Sequence, residues 1–415
     1  MLRTYMLVGH FFAILLTKNI EKRVKNMIGV SKLLCDTENF GDSLRYAPGV
    51  HGQRHGAAQG MGPVLSWNIT RTCNLKCVHC YSDSDGKKYD GELTTKEAKK
   101  FIDDCAAFKV PVLLLSGGEP LIRPDVFELV EHAKKYGIRS TFSTNGTLID
   151  KQLAKDIKAL NVGYVGISLD GLGEANDKFR GKQGAFEKAL EGIRNCLDVG
   201  QRVGLRFTIN RYNFHDLENI FRLIKEEKIP RVCFYHLVYS GRASQMMEHD
   251  VTHEESRQAM DLIMAKAQEF DKTCEILTVD NHADIVYLYL QSLKKDPVRA
   301  EKVWNLMMRN GGNRSGIAFG NVDPLGNVHS DQFTQNYTFG NVRDRAIGDI
   351  WTDESNPILA GLKDRKALLK GRCGICKWLN VCNGNFRARA EAATGDFWES
   401  DPACYLTDEE IGILK

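Results

Sequence analysis

Between Val64 and Leu237 this chain alternates strictly between short β-rich runs and helical stretches, and that rhythm constrains its fold more than any other feature. Val64–Ile69, Val112–Ser116, Ile138–Thr144, Val165–Asp170, Val203–Ile209 and Arg231–Leu237 are rich in the branched, apolar and aromatic residues that suit strands. Between them, Thr94-Thr95-Lys96-Glu97 forms a capping box that opens a helix to about Phe108. Further helices are predicted over Asp125–Tyr136, Lys151–Leu160, Phe186–Val199 and Leu217–Lys228. Strands separated by helices pair in parallel through right-handed crossovers, because no tight turn can join parallel neighbours. The reading is therefore α/β: a partial (β/α)6 TIM-type barrel over residues 64–240, with chemistry at the C-terminal ends of its strands.

After Ser240 the rhythm breaks. Helices near Glu254–Phe270 and Ala283–Arg309 make residues 241–309 a helical connection. Ile317–Val322, a turn at Asp323-Pro324-Leu325-Gly326-Asn327 and the run from Val328 read as a hairpin. Residues 310–415 then form a small C-terminal domain, and residues 27–63 an N-terminal segment. Residues 1–26 read as an extension that is not part of the fold. Met6–Leu16 is apolar after Arg3 but too short to span a bilayer, no small-residue cleavage site follows, and Met27 reads as a natural start. A cytoplasmic location without a membrane partner is expected. The net charge of +3 on 415 residues excludes nucleic acid as the main partner, since phosphate binding demands a strong basic bias.

Of 12 cysteines, seven fall in two tight groups, a pattern that points to metal rather than disulfides. Cys73, Cys77 and Cys80 follow the first strand in one loop. Three thiolates can ligate three irons of a cubane and leave the fourth iron open, which a substrate-binding cluster requires. A zinc knuckle with His79 as fourth ligand is the alternative, although zinc sites favour paired spacings over this triplet. Cys373, Cys376, Cys382 and Cys404 supply a full set of four ligands, for an iron–sulfur cluster with no open iron or for a structural zinc.

The first motif, Cys73-Asn74-Leu75-Lys76-Cys77-Val78-His79-Cys80, resembles the loop of the radical S-adenosylmethionine (SAM) superfamily. That resemblance implies a [4Fe–4S] cluster that binds SAM and cleaves it reductively to a deoxyadenosyl radical. His79 would then pack near adenine, with loop packing alone as the plain alternative. Gly117-Gly118-Glu119-Pro120 is similar to the motif that receives the methionine amine: glycines admit close backbone approach, and a carboxylate suits an ammonium. Ser143 and Asn145 on the third strand, Ser168 and Asp170 on the fourth and Arg206 on the fifth match the family's ribose and SAM contacts. The alternative for Ser168 and Asp170 is that they cap the following helix. The second cysteine group is similar to one auxiliary cluster of a SPASM/twitch domain. Asp331 and Phe386 stand where a further cluster would have ligands, so two [4Fe–4S] clusters in all are implied.

From Met27 onward the chain resembles the NirJ/AhbC family of haem d1 and alternative haem biosynthesis. The carriers are Ser31-Lys32-Leu33-Leu34-Cys35, Phe40-Gly41-Asp42-Ser43-Leu44-Arg45-Tyr46 and Cys77-Val78-His79-Cys80-Tyr81-Ser82-Asp83-Ser84-Asp85. The resemblance implies removal of acetate or propionate side chains from a siroheme-derived iron tetrapyrrole, with a flavodoxin- or ferredoxin-type reductant. A carboxylate-rich iron tetrapyrrole calls for basic donors and an axial histidine. Candidates are His51, Arg54, His55, Tyr235, His236, Tyr239 and Arg242, then His282 and His329, each also explicable as surface or packing. Peptide modification is the alternative activity. An electron-transfer or sensing protein is the non-catalytic one, and the glycine motif beside an open cluster argues against it.

Overall fold

The computed structural model describes residues 27–46 and 54–413; the N-terminal extension and His51 lie outside them. Ten strands form one sheet. In chain order they are β1 (Met27–Gly29), β2 (Val64–Thr70), β3 (Val112–Gly117), β4 (Arg139–Thr144), β5 (Val165–Ser168), β6 (Val203–Ile209), β7 (Arg231–His236), β8 (Glu275–Val279), β9 (Phe319–Val322) and β10 (Val328–His329). Their spatial order is β1-β8-β7-β6-β5-β4-β3-β2-β9-β10. The six expected strands, β2 to β7, pair in parallel with their sequence neighbours, as a partial barrel requires.

Alternation along the strands divides two environments. Leu65, Trp67 and Ile69 of β2, Leu113 and Leu115 of β3, and Leu205, Phe207 and Ile209 of β6 join the main apolar core. Trp67 meets Phe101 of the helix Thr95–Ala107 edge-on at 5.0 Å between ring centroids. The intervening side chains, among them Ser66, Ser116, Ser143, Arg206 and Tyr235, line the space the curved sheet encloses. A period of two thus places polar residues in the lumen while helices cover the other face.

Two expectations change in the segment after Ser240. The stretch read as a helical connection contains β8, which pairs in parallel with β7. The single helix expected over Ala283–Arg309 is two, Ala283–Lys295 and Pro297–Asn310. Asp296 caps the second by accepting the Arg299 amide, and Pro297 takes its first turn, where a missing N–H costs nothing. The hairpin appears as β9 and β10, with β9 also parallel to β2. A helix over Gly173–Arg180 had no counterpart in the sequence reading.

The N-terminal segment seals the end of the barrel opposite the strand C-termini. β1 pairs antiparallel with β8, and Phe40 lies between the guanidinium groups of Arg139 and Arg202, 4.8 and 3.9 Å from its centroid. Among the described residues, no helix is long and apolar enough to cross a membrane.

Candidate active site

The loop after β2 carries Cys73, Cys77 and Cys80, and backbone pairing holds it in place. Gly118 donates its amide to Thr70 O at 2.8 Å and Glu119 donates to Thr72 O at 2.9 Å. Lys76 and Val78 donate to Arg180 O and Phe179 O. A Cβ on Gly118 would lie 2.2 Å from Thr72 O and 2.6 Å from Arg71 O. Glycine is therefore obligatory where the motif after β3 crosses the root of the cysteine loop.

All three sulfurs line one cavity of about 980 Å³ including its open mouth. Cys73 Sγ accepts the Leu75 amide at 3.4 Å, Cys77 Sγ accepts Arg180 Nη1 at 3.6 Å, and Cys80 Sγ accepts the Ser84 amide at 3.4 Å. Burial pushes the Cys73 thiol up to about 12, so its thiolate persists only beside a positive centre. Three cysteines lining one cavity, each sulfur with an N–H donor, fit an iron–sulfur cluster, whose potential such donors tune. Among the described residues no three His, Cys, Asp or Glu side chains gather as one metal ion needs. A cubane spreads its ligands over separate irons.

The same cavity is lined by His79, Gly117, Gly118, Ser143, Asn145, Ser168 and Arg206, so the structure brings most of the sequence-derived site together. Arg206 extends over the Tyr235 ring, 4.6 Å from its centroid, and forms no ion pair among the described residues. Gly166 makes room for it: a Cβ there would lie 2.7 Å from Arg206 Cδ. Asn145 Nδ2 donates to Asn74 Oδ1 at 2.8 Å and approaches Cys73 Sγ at 3.9 Å.

Other residues stand elsewhere. Glu119, expected to face an ammonium, is fully buried behind the motif. Its Oε1 accepts Thr144 Oγ1 at 2.7 Å and Leu121 N at 3.1 Å, and its Oε2 accepts Asn145 N at 2.8 Å. Burial raises its pKa to about 7 against those donors. The carboxylate thus ties the end of β3 to the end of β4. Asp170 is likewise buried, accepts Thr208 N at 2.9 Å and pairs with Arg180, while His79 Nε2 stands 3.4 Å from its Oδ2. Burial lowers the His79 pKa to about 4, which leaves its ring neutral, packed 4.7 Å from the Phe179 ring.

The substrate candidates separate similarly. Tyr235, His236 and Arg242 line the cavity. Arg242, however, spends its guanidinium on Cys77 O, Ser84 O and Asp83, so it braces the cysteine loop. Tyr239 donates to Asp250, and Arg54 and His55 lie at Glu354. His282 and His329 are buried beside Asn385 and Tyr337 O respectively. Asp331 caps its own loop through the Phe333 and Thr334 amides, and Phe386 packs 5.8 Å from the Phe333 ring.

Sequence reasoning missed two charged residues. Arg180, at the end of the helix Gly173–Arg180, couples Cys77 to Asp170; its signal was Gly181, whose Cβ would meet Lys76 O at 2.5 Å. Asp280 follows β8 in the left-handed region (φ +69) and lines the cavity. Burial raises its pKa to about 7, partly offset by Arg389 and Arg206.

The second cysteine group also assembles. Cys373, Cys376, Cys382 and Cys404 line one cavity of about 480 Å³, although 21 residues separate the last two.

With this geometry in view, the likenesses to known proteins are decisive. Over 398 residues the chain is 53% identical to the Fe-coproporphyrin III synthase of Methanosarcina barkeri, covering 94% of this chain and 100% of that one. The chain belongs to the radical SAM superfamily. The superfamily profile matches residues 67–224. The pre-heme d1 synthase of Dinoroseobacter shibae is 43% identical over 84% of this chain and 88% of its own length. Streptococcus suis SuiB bound to S-adenosylmethionine shares the fold, with a TM-score of 0.66 and 16% identity over 84% of this chain and 78% of that one. As a radical SAM enzyme, the chain uses SAM and a [4Fe–4S] cluster.

Proposed function

We propose that this enzyme removes the acetate side chains of a siroheme-derived iron tetrapyrrole, didecarboxysiroheme, to give an iron coproporphyrin. The observation that carries this reading is a single large cavity lined by the cysteine loop, by Arg206 and by Tyr81, Tyr235, Leu237, Val238 and Phe333. An amphipathic macrocycle with carboxylate arms wants such apolar walls with a cation free of a protein carboxylate, and of the three arginines lining the cavity Arg206 alone has no ion pair among the described residues. The 53% identity to an Fe-coproporphyrin III synthase over its whole length favours acetate removal above the propionate removal of haem d1 synthesis.

Cys73, Cys77 and Cys80 would hold the cluster, leaving one iron to SAM. When bound, cluster and SAM together supply a one-electron cleavage that yields a carbon radical. His79, Gly117, Gly118, Ser143, Asn145, Ser168 and Arg206 surround the space for SAM, while Glu119 and Asp170 hold the strand ends that present them. Arg206, stacked on Tyr235 and without an ion pair among the described residues, offers its guanidinium to a carboxylate. Asp280, poised near neutrality, can hold or release a proton at its carboxyl oxygen. Cys373, Cys376, Cys382 and Cys404 would hold one fully ligated auxiliary [4Fe–4S] cluster in a C-terminal domain of the SPASM/twitch kind, over residues 310–415. A flavodoxin- or ferredoxin-type reductant in the cytoplasm would serve both clusters.

Anaerobic turnover with SAM, dithionite and didecarboxysiroheme, followed by mass spectrometry of the tetrapyrrole, tests this. Loss of two acetate units is expected. Loss of propionates would move the enzyme to haem d1 synthesis, and deoxyadenosine beside an unchanged tetrapyrrole would refute the substrate.

A further inference from the structure

Two histidines line the large cavity, and they are not equivalent. His79 faces the buried Asp170 with Nε2, and its Nδ1 is enclosed without a partner among the described residues. His236 ends β7, and its Nε2 lies 3.0 Å from Asp284 Oδ2. Asp284 is fully buried, and its other oxygen accepts the Tyr405 hydroxyl at 2.7 Å. It also stands in the first turn of the helix Ala283–Lys295, where unpaired amides favour an anion. In the neutral ring, Asp284 accepting Nε2–H leaves the lone pair on Nδ1; against the ring's burial Asp284 also raises the His236 pKa, so iron at Nδ1 would take the place of a proton. Among the described residues His236 Nδ1 has no partner, and the ring borders the cavity.

A histidine locked by a buried carboxylate through one nitrogen, with the other open to a cavity, is the arrangement that proteins use to hold a metal ligand in one tautomer and orientation. Nothing in the packing of the barrel needs it, because a strand end can be buried with an apolar residue at no desolvation cost. We propose that His236 ligates the iron of the bound tetrapyrrole through Nδ1, with Asp284 and Tyr405 fixing its ring. This rests on the tetrapyrrole reading above and deepens it. One axial bond would fix which face of the macrocycle meets the barrel and hence which side-chain edge is offered to the SAM side.

The test is spectroscopic and needs no turnover. Anaerobic protein with its clusters reconstituted and SAM omitted is titrated with didecarboxysiroheme and, in parallel, with the same macrocycle lacking iron. Wild type should show the optical and EPR features of a nitrogen-ligated tetrapyrrole iron. His236→Ala should lose them, regain them with added imidazole, and bind the metal-free macrocycle as wild type does. Asp284→Asn should weaken binding of the iron form by about 10–100-fold. A His236→Ala complex spectroscopically identical to wild type would overturn the ligation and leave the substrate reading intact. A wild type that binds neither macrocycle would overturn both. Equal loss of the iron and metal-free forms in His236→Ala would also overturn it, as a merely structural role.

Discussion

Replacing Gly118 by alanine should disable the first cluster site without touching a ligand. The new methyl carbon would lie 2.2 Å from Thr72 O and 2.6 Å from Arg71 O, both backbone atoms that cannot swing aside. A carbon–oxygen contact relaxes near about 3.3 Å, so the root of the cysteine loop must retreat by roughly 1 Å. That retreat stretches the bonds from Gly118 N to Thr70 O and from Glu119 N to Thr72 O, now 2.8 and 2.9 Å, beyond useful length. Two bonds at about 1 kcal/mol each, with about 1–3 kcal/mol of overpacking, give a loss of roughly 3–5 kcal/mol. Cys73 follows Thr72 directly, so its sulfur moves with the loop. Iron and sulfide content, the EPR signal of the reduced cluster and deoxyadenosine release after anaerobic reconstitution are the assays, with thermal unfolding of the apo-protein alongside. Gly86→Ala is the control: it sits near the same loop, but its Cβ would meet nothing closer than Cys73 O at 3.8 Å. Wild-type iron content and deoxyadenosine release in Gly118→Ala would refute the argument that this glycine exists to let the two backbones touch.

Arg389 reaches Asp401 at 2.8 Å and the carbonyls of Leu237 and Asp280 at 3.1 and 2.6 Å, entirely buried. Arg389→Ala strands the Asp401 charge and should cost about 3–5 kcal/mol in anaerobic denaturant unfolding, part of it regained by adding Asp401→Asn; a loss below about 1 kcal/mol would contradict the pairing. Burial raises the Asp280 pKa to about 7 in the folded protein, from an ordinary carboxyl value near 3.8. Its stabilising effect is full below the unfolded value and is lost as pH rises through 7, a difference of roughly 4 kcal/mol. Asp280→Asn, which tolerates the left-handed backbone, should therefore gain stability over wild type at pH 8 and none near pH 4; equal gains at both would refute the assignment. Cys376→Ala or Cys382→Ala should leave deoxyadenosine release in place and impair loss of the tetrapyrrole side chains, both read from one quenched reaction; unimpaired product would remove any redox role for the second group.

Much of this was legible because periodicity and spacing are local signals. The barrel strands appear within about two residues of the apolar runs, and the capping box at Thr94 opens its helix with both reciprocal bonds formed. The cysteine spacings and the glycine motif also needed no partner to be recognised. What escaped was nonlocal. Glu275–Val279 is a short run between two helices, and only its pairing with β7 makes it a strand. Its terminal Asp280 therefore stayed invisible as a cavity residue. The helix Gly173–Arg180 is mostly polar and offers little apolar period, which hid Arg180. Glu119 and Arg242 were seen, but a charge shows its type in the sequence and its partner only in the fold. Glu119 found the β4 end and Arg242 found three groups of the cysteine loop.

These partners also show that the C-terminal cysteine region builds the cavity rather than hanging from it. Tyr405, directly after Cys404, holds the carboxylate that orients His236, and Arg389 fixes the backbone of both Leu237 and Asp280. Phe333, whose carbonyl accepts Ser240 Oγ at 2.9 Å, and Gln332 close the wall facing the first cysteine loop. Each contact joins a strand end of the barrel to a segment ordered around the second cysteine group. If the second group holds the proposed cluster, its four thiolates must be deprotonated and gathered, which would couple metal binding there to local folding. Disorder at that site would therefore free His236, release Asp280 from its strained conformation and open the cavity to water, with Cys73, Cys77 and Cys80 still in place. On the proposed reading, radical formation would then depend on the first cysteine loop, and its use on a substrate on the whole chain.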